Sequence, residues 1–195
     1  GGIIITNSKK YAQRLRLLRN HAESSNDKKN PEMFGFNFRL GEIESAIGIE
    51  QLKKLKKIVK ERIYIAEKLT NGLKHLKGIN LPSNNPKKKN IYYFYPLTIN
   101  QKIIKTKRSK IISMLKNEGI QEICYEYSSL HQLLIFQNSK SKNPNVKSKK
   151  YLVAENLNKN TFIAIKLCSL ALNKKDINLI IKSFKKVWDE ISFYK

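Results

Sequence analysis

Asn37 and Arg39 are the side chains whose types and spacing point most directly to chemistry. They lie in an aromatic, glycine-punctuated stretch, residues 34–41, that runs into the longest helical pattern of the chain. The first turn of a helix leaves backbone N–H groups unpaired and carries the positive end of the helix dipole, so it favours an anion. An amide donor and a guanidinium just before such a turn indicate a phosphate-handling site. For Arg39, an ion pair with Glu42 or Glu44 is an equally good explanation.

His131 is the second candidate, because it lies in an aromatic, polar segment, residues 125–132, at the end of a predicted strand. Segments of this kind often line active sites. The sequence shows no Ser-His-Asp arrangement, phosphate-cradling glycine motif or paired catalytic carboxylates. Cys124 and Cys168 are too few and too far apart for a disulfide framework or a zinc pattern, so we expect no metal site and a reducing, cytoplasmic setting.

The charge of the chain raises a different class of function. Lys and Arg number 39 against 15 Asp and Glu, a formal net charge of +24, and clustered cations bind nucleic acid through its phosphates. The lysines are nevertheless scattered over every segment, and the denser runs at 86–90 and 139–150 lie in turn-forming sequence. We therefore expect a solvated surface without nucleic acid, and keep a basic nucleic-acid or polyanion-binding protein as the alternative.

The elements that must position these side chains follow from composition and hydrophobic periodicity. With 41% hydrophobic residues the chain should be globular, and no apolar run approaches the roughly 20 residues of a membrane helix. Residues 1–6 predict a buried strand, and Asn7-Ser8 predicts the cap of a helix from Lys9 to about Asn20.

Beyond Gly41 the pattern predicts a long amphipathic helix that Gly78 ends. Its apolar residues recur at three- and four-residue steps: Leu52, Leu55, Val59, Ala66, Leu69, Leu73 and Leu76. Because such a stripe must pack against another layer, we expect a spine that joins two parts of the molecule. The remainder predicts a small α/β unit with Trp188 in its core. Its strands are predicted at 91–99, 120–127 and 161–167, and its helices at 107–117, 149–157 and 176–193.

Several segments together resemble one known family. They are residues 1–6, 15–21, 35–40, 42–48, 51–52, 93–96 and 127–131. They resemble the second half of the DegT/DnrJ/EryC1/StrS family, pyridoxal-phosphate-dependent aminotransferases of which most act on nucleotide-linked keto-sugars. The fold that this resemblance implies is α/β, the C-terminal part of a fold type I transferase. Residues 1–50 would end the large cofactor-binding domain, residues 51–80 would form the connecting helix, and residues 81–195 the small C-terminal domain.

The resemblance also implies roles for the candidate residues. The matched asparagine of the family reaches across a dimer interface to the cofactor phosphate, so Asn37 is expected to bind pyridoxal 5'-phosphate held by the partner subunit of a homodimer. Arg39 would face the partner's active site and help to hold substrate phosphate, and His131 falls in the substrate-side loop. The implied reaction moves an amino group, with glutamate as donor, to a keto-sugar nucleotide for cell-surface polysaccharide or amino-sugar biosynthesis.

The catalytic lysine is where the chain departs from the family. The family's Schiff-base lysine lies upstream of the Gly-Gly that opens this chain, and no lysine here sits in a matching motif. Without that lysine the cofactor cannot be held covalently. We therefore expect a C-terminal fragment that has no catalytic residue of its own and is inactive alone. A non-catalytic remnant is the other alternative.

Overall fold

A computed structural model describes residues 2–23, 31, 33–83, 85, 87–125, 128–134, 151–167 and 172–194. The chain divides into two units, residues 1–56 and residues 57–195. The division falls inside the longest helix, which therefore contributes to both units. In the described part of the chain, no helix is both long enough and apolar enough to cross a bilayer.

The first unit contains helix α1, Lys9–Arg19, and the first part of helix α2, Glu42–Leu73. The predicted cap is confirmed, because the Ser8 side chain accepts a hydrogen bond from the backbone N–H of Tyr11 at 3.3 Å. The predicted strand at residues 1–6 is wrong: residues 2–6 form no strand, and Ile3 is 90% exposed. A strand needs a neighbour to pair its backbone groups, and the described residues of this unit contain no other strand.

Helix α2 confirms the predicted start after Gly41 and ends shortly before Gly78, whose φ of 77° reverses the chain. The predicted apolar stripe is buried only from Val59 onward. Leu52 and Leu55, which precede that point, are 67% and 49% exposed. The stripe therefore packs into a core only where α2 belongs to the second unit.

The second unit is built on a four-stranded antiparallel sheet. Its strands are β1 (Ile79–Asn80), β2 (Phe94–Ile99), β3 (Ile123–Cys124) and β4 (Phe162–Lys166), in the order β1-β2-β4-β3. Tyr95 lies opposite Ile165, and Leu97 lies opposite Ile163. The three predicted strands are present but shorter, whereas β1 was not predicted because two residues are too few to show an alternating pattern.

Three helices accompany the sheet: α3 (Arg108–Asn117), α4 (Leu152–Asn156) and α5 (Lys174–Glu190). A short π-helix, Leu157–Thr161, joins α4 to β4. Helix α5 begins earlier than predicted because Asn173 caps it. The Asn173 side chain accepts from the backbone N–H of Asp176 at 3.1 Å, and the Asp176 carboxylate accepts from the backbone N–H of Asn173 at 2.9 Å.

The core of the second unit draws on α2, the sheet, α3 and α5. Its largest fully buried side chains are Tyr95, Phe184, Leu69, Leu73, Leu97, Ile111, Leu115, Ile163, Ile165, Leu167 and Val187. Trp188 is 4% exposed, and its indole N–H donates to the carbonyl of Lys77 at 2.9 Å, which confirms the prediction that it is a core residue.

Candidate functional site

The loop that carries Asn37 is fixed to the end of α1 by backbone hydrogen bonds. The N–H of Phe36 donates to the carbonyl of Leu18 at 2.8 Å, and the N–H of Phe38 donates to the carbonyl of Arg19 at 2.9 Å. In return the N–H of His21 donates to the carbonyl of Phe36 at 2.9 Å. The last carbonyls of a helix have no partners within it, so the loop satisfies groups that would otherwise need water. This pairing sets the register of the loop.

Gly35 permits this close approach. The chain reverses at His21 and Ala22, whose φ angles of 54° and 61° are both left-handed. The Ala22 N–H donates back to the carbonyl of Leu17 at 2.8 Å, which stabilises the reversal. A Cβ atom added to Gly35 would overlap the backbone of His21 and Ala22. Position 35, which directly precedes the paired segment, therefore requires glycine.

The paired segment separates its aromatic and polar side chains. Successive side chains of extended backbone point to opposite sides. The rings of Phe36 and Phe38 stack with centroids 4.8 Å apart and an angle of 12° between their planes. Asn37 and Arg39 meet each other instead, the Arg39 Nε donating to the Asn37 Oδ1 at 2.9 Å. The ion pair of Arg39 with Glu42 or Glu44 is not formed among the described residues.

The Asn37–Arg39 pair presents hydrogen-bond donors. Because Arg39 occupies the carboxamide oxygen of Asn37, the Asn37 Nδ2 amino group is oriented away from it with two N–H donors. The guanidinium keeps its remaining N–H groups and its charge. Both residues are exposed. Amide and guanidinium donors side by side fit a phosphate group, since charge-assisted hydrogen bonds to phosphate oxygens are strong and directional.

The start of α2 contributes less to this site than the sequence suggested. Glu42 and Glu44 occupy its first turn, and their carboxylates offset the positive end of the helix dipole. The Ser45 N–H and hydroxyl both bind the carbonyl of Gly41, at 3.0 and 2.7 Å. An anion at this loop would therefore be held by the side chains of Asn37 and Arg39, with little help from the helix.

His131 belongs to the second unit and lies in a 3-10 turn, Leu130–Gln132. Its Nε2 lies 3.5 Å from the Oε1 of Glu155, and its ring centroid lies 4.5 Å from that of Tyr151. Sequence reasoning missed both partners, because they are distant along the chain and neither belongs to a recognisable motif. In the described part of the chain, no group of three or more His, Cys, Asp or Glu side chains could hold a metal ion.

The comparisons with known proteins agree with the resemblance in the sequence. The model of the DegT/DnrJ/EryC1/StrS aminotransferase family matches residues 1–184. The chain belongs to this family.

One curated relative is the UDP-4-amino-4,6-dideoxy-N-acetyl-beta-L-altrosamine transaminase of Helicobacter pylori. It is 27% identical over 139 residues, which are 70% of this chain and 36% of the relative. Among solved structures, the aminotransferase PseC of Helicobacter pylori, involved in the biosynthesis of pseudoaminic acid, superimposes with a TM-score of 0.72 and 23% identity over 95% of this chain and 48% of that chain.

NtdA from Bacillus subtilis, solved with its cofactor PMP bound, superimposes with a TM-score of 0.73 and 18% identity, over 94% of this chain and 41% of that chain. At these identities the structural matches show the fold, which is a partial fold type I aminotransferase of mixed α/β class. The chain spans about a third of the length of the curated relative and about half or less of the solved structures.

Proposed function

We propose that these 195 residues are the C-terminal part of a cytoplasmic pyridoxal-phosphate-dependent aminotransferase that works as a homodimer. Its substrates would be a keto-sugar nucleotide and glutamate as the amino donor, and its product would serve amino-sugar or cell-surface polysaccharide biosynthesis. Family membership and the transaminase names of the relatives support this class of reaction. Residues 1–50, 51–80 and 81–195 would supply the end of the large domain, the connecting helix and the small domain.

The observation that carries the proposal is the Asn37–Arg39 pair. A loop tied to α1 by three backbone hydrogen bonds holds the two side chains with the Asn37 carboxamide oriented by Arg39. In the proposed dimer the Asn37 Nδ2 would donate to the phosphate of the cofactor held by the other subunit. Arg39 would add charge beside it and contact the substrate phosphate. His131 would contact the sugar.

Pyridoxal phosphate, when bound, carries the amino group from the donor to the keto sugar. The residues of this chain would bind and orient. Asn37 and Arg39 would neutralise and place phosphate oxygens, and His131 would offer a ring nitrogen to a sugar hydroxyl. We propose none of the lysines of these 195 residues as the Schiff-base lysine.

Cofactor affinity of the holoenzyme tests the role of Asn37. Asn37→Ala removes the donor, and a hydrogen bond to a charged group contributes about 1.5–3 kcal/mol, so we expect pyridoxal phosphate to dissociate at least roughly tenfold more readily. Asn20→Ala is the matched control. Asn20 pairs with Asn37 through the backbone, but it lies at the end of α1 and we propose no phosphate contact for its side chain. Unchanged affinity in Asn37→Ala, measured by equilibrium dialysis, would contradict the proposal.

Mixed dimers test whether Asn37 acts across the interface. One subunit would carry Asn37→Ala, and the other would lack the Schiff-base lysine. The activity is measured at a limiting pyridoxal phosphate concentration, at which wild-type sites are mostly filled and Asn37→Ala sites are mostly empty. If Asn37 serves the partner's cofactor, each mixed dimer holds one intact site, and random mixing should restore about a quarter of the wild-type activity. If Asn37 served its own subunit, no mixed dimer would hold an intact site, and the mixture would show only the residual activity of the Asn37→Ala subunits.

The 195 residues by themselves provide a further test. We expect the purified chain to form no specific Schiff base with added pyridoxal phosphate. A stable absorbance that borohydride reduction fixes on one particular lysine would overturn this expectation. Scattered labelling of several surface lysines at high reagent concentration would agree with it, since the chain is lysine-rich.

A further inference from the structure

We infer that Glu155 is a positioning residue for His131, and that Glu155 and Tyr151 together hold the imidazole so that its Nδ1 is offered to a hydroxyl group of the sugar substrate. This inference rests on the proposed function, since it specifies how the substrate-side histidine would be oriented. Glu155 itself would not touch the substrate.

The geometry places one carboxylate oxygen between a backbone donor and the edge of the His131 ring. The Oε1 of Glu155 accepts from the backbone N–H of Tyr151 at 3.3 Å and lies 3.5 Å from the Nε2 of His131. The backbone contact fixes the carboxylate on the turn that opens α4. The carboxylate in turn lies on the Nε2 side of the imidazole.

Tyr151 restricts the ring from a second direction. The centroids of the His131 and Tyr151 rings are 4.5 Å apart, with 40° between their planes. This is within the range of favourable aromatic contact. A ring held by one charged contact at its edge and one aromatic contact at its face has little freedom to rotate about χ2.

Partial burial strengthens the contact between the Glu155 carboxylate and the His131 ring. The side chains of His131 and Glu155 are 21% and 27% exposed, less than those of the other carboxylate pairs with lysine in the described chain. The segments that carry them also hold exposed aliphatic side chains: Leu130 at 71%, Leu134 at 71%, Leu152 at 68% and Val153 at 77%. Apolar groups concentrated at the surface mark binding regions more often than ordinary solvated surface. A ligand that covered this region would lower the local dielectric and strengthen the contact further.

The chemistry follows from the two ring nitrogens. In a neutral imidazole one nitrogen donates and the other accepts, and the hydrogen bond of the first decides which is which. A carboxylate beside Nε2 favours the tautomer with the proton on Nε2. The Nδ1 lone pair then faces away from Glu155 and can accept from a hydroxyl, the group that distinguishes a sugar from most other keto substrates.

The tautomer can be measured directly in the 195-residue chain. It contains three histidines, His21, His75 and His131, so a long-range ¹H–¹⁵N correlation spectrum at about pH 8, where an ordinary histidine is neutral, resolves each ring. We expect the Nε2–H form for His131 and a shift toward a mixture of tautomers in Glu155→Ala. Glu155→Gln, whose amide oxygen can still accept, should keep the wild-type spectrum.

Glu122→Ala is the matched control, because Glu122 is a partly exposed carboxylate that lies 3.6 Å from Lys166 and so has a different partner. It should leave the His131 signals in place. Circular dichroism and Trp188 emission show whether each variant is folded. A wild-type His131 in the Nδ1–H form, or identical His131 spectra in folded wild type and Glu155→Ala, would overturn the inference.

Kinetics of the holoenzyme provide the second readout. In Glu155→Ala we expect KM for the keto-sugar nucleotide to rise roughly tenfold, as for loss of one hydrogen bond, while KM for the amino donor stays unchanged. Equal changes in both KM values, or none, would refute the positioning role. A wild-type holoenzyme that aminates no keto-sugar nucleotide would refute the proposed function instead, and the tautomer spectrum would still decide whether Glu155 orients His131.

Discussion

The Tyr95 hydroxyl should make the fold of the second unit sensitive to alkaline pH. Tyr95 lies in β2 with 0% of its surface exposed, and its Oη lies 2.8 Å from the Oγ1 of Thr70 on α2. Burial is the largest effect on the Tyr95 hydroxyl and raises its pKa, as does the charge of Tyr92, whereas the hydrogen bond with Thr70 lowers it. The net pKa of Tyr95 is about 12, compared with an ordinary value of 10.0. The folded state therefore holds this proton more tightly than the unfolded chain does.

The sign and size of the effect follow from linkage. A pKa raised on folding stabilises the folded state fully below the unfolded pKa near 10, and the stability is lost as the pH rises toward about 12. At pH 11 the two pKa values give about a tenfold shift of the folding equilibrium, which is about 1.4 kcal/mol. The total loss above pH 12 would be at most about 2.7 kcal/mol.

Urea unfolding followed by fluorescence measures this loss. Trp188 is the single tryptophan of the chain and is buried in the same core, so its emission reports the unfolding of this unit. Tyr95→Phe should unfold about 1 kcal/mol more readily at about pH 8, since it loses the bond to Thr70. Between about pH 8 and 11 the wild type should lose about 1.4 kcal/mol more than Tyr95→Phe.

Two control variants test whether the Tyr95 hydroxyl causes the loss of stability at alkaline pH. Tyr194→Phe changes a half-exposed tyrosine and should behave as the wild type at both pH values. Thr70→Val removes the hydrogen bond that lowers the pKa of Tyr95, so its alkaline loss should equal or exceed that of the wild type. If wild type and Tyr95→Phe lose the same stability on going to pH 11, the buried-hydroxyl reasoning is refuted.

Two further predictions concern single residues of the fold. Asn173→Ala should lower the free energy of unfolding by about 0.5–2 kcal/mol, because it removes the capping box of α5, whereas Asn173→Ser should retain most of it; equal urea midpoints for the two variants would contradict this. In α2, the methyl group of Gly48→Ala would enter open space, so this variant should be neutral or more stable by up to about 1 kcal/mol. A Cβ at Gly72 would overlap the Ile181 side chain. Gly72→Ala should therefore unfold at least about 1 kcal/mol more readily than Gly48→Ala. Chemical denaturation of both variants in parallel decides the second case, and a more stable Gly72→Ala would show that Ile181 moves aside freely.

Local features of the fold were predictable because each depends on neighbouring residues. Ser8 at the start of α1 and Gly119, with φ at 94°, at the end of α3 act within one turn of the chain. The apolar stripe of α2 is periodic and long, so the burial of its second part, which includes Leu69 and Leu73, could be predicted as well. The strand predicted at residues 1–6 failed for the opposite reason, since a strand exists only with a pairing partner.

In the candidate site, too, the residue types were predictable from the sequence and their contacts were not. The types and spacing of Asn37 and Arg39 predicted an anion site, and the resemblance to the family predicted that His131 lies on the substrate side. The sequence could not show that Arg39 bonds to Asn37 rather than to Glu42 or Glu44, because all three acceptors lie within reach of a long, flexible side chain.

By itself the sequence determined the family, the mixed α/β class, the Ser8 cap of α1 and the candidate phosphate ligand, all of which rest on short-range patterns. Only the tertiary structure decided that Gly35 must pass against the backbone of Ala22, that Tyr95 is buried against Thr70, and that Glu155 lies beside His131. These contacts join residues far apart along the chain. They depend on how backbone and side chains pack in three dimensions, and no spacing in the sequence encodes that distance.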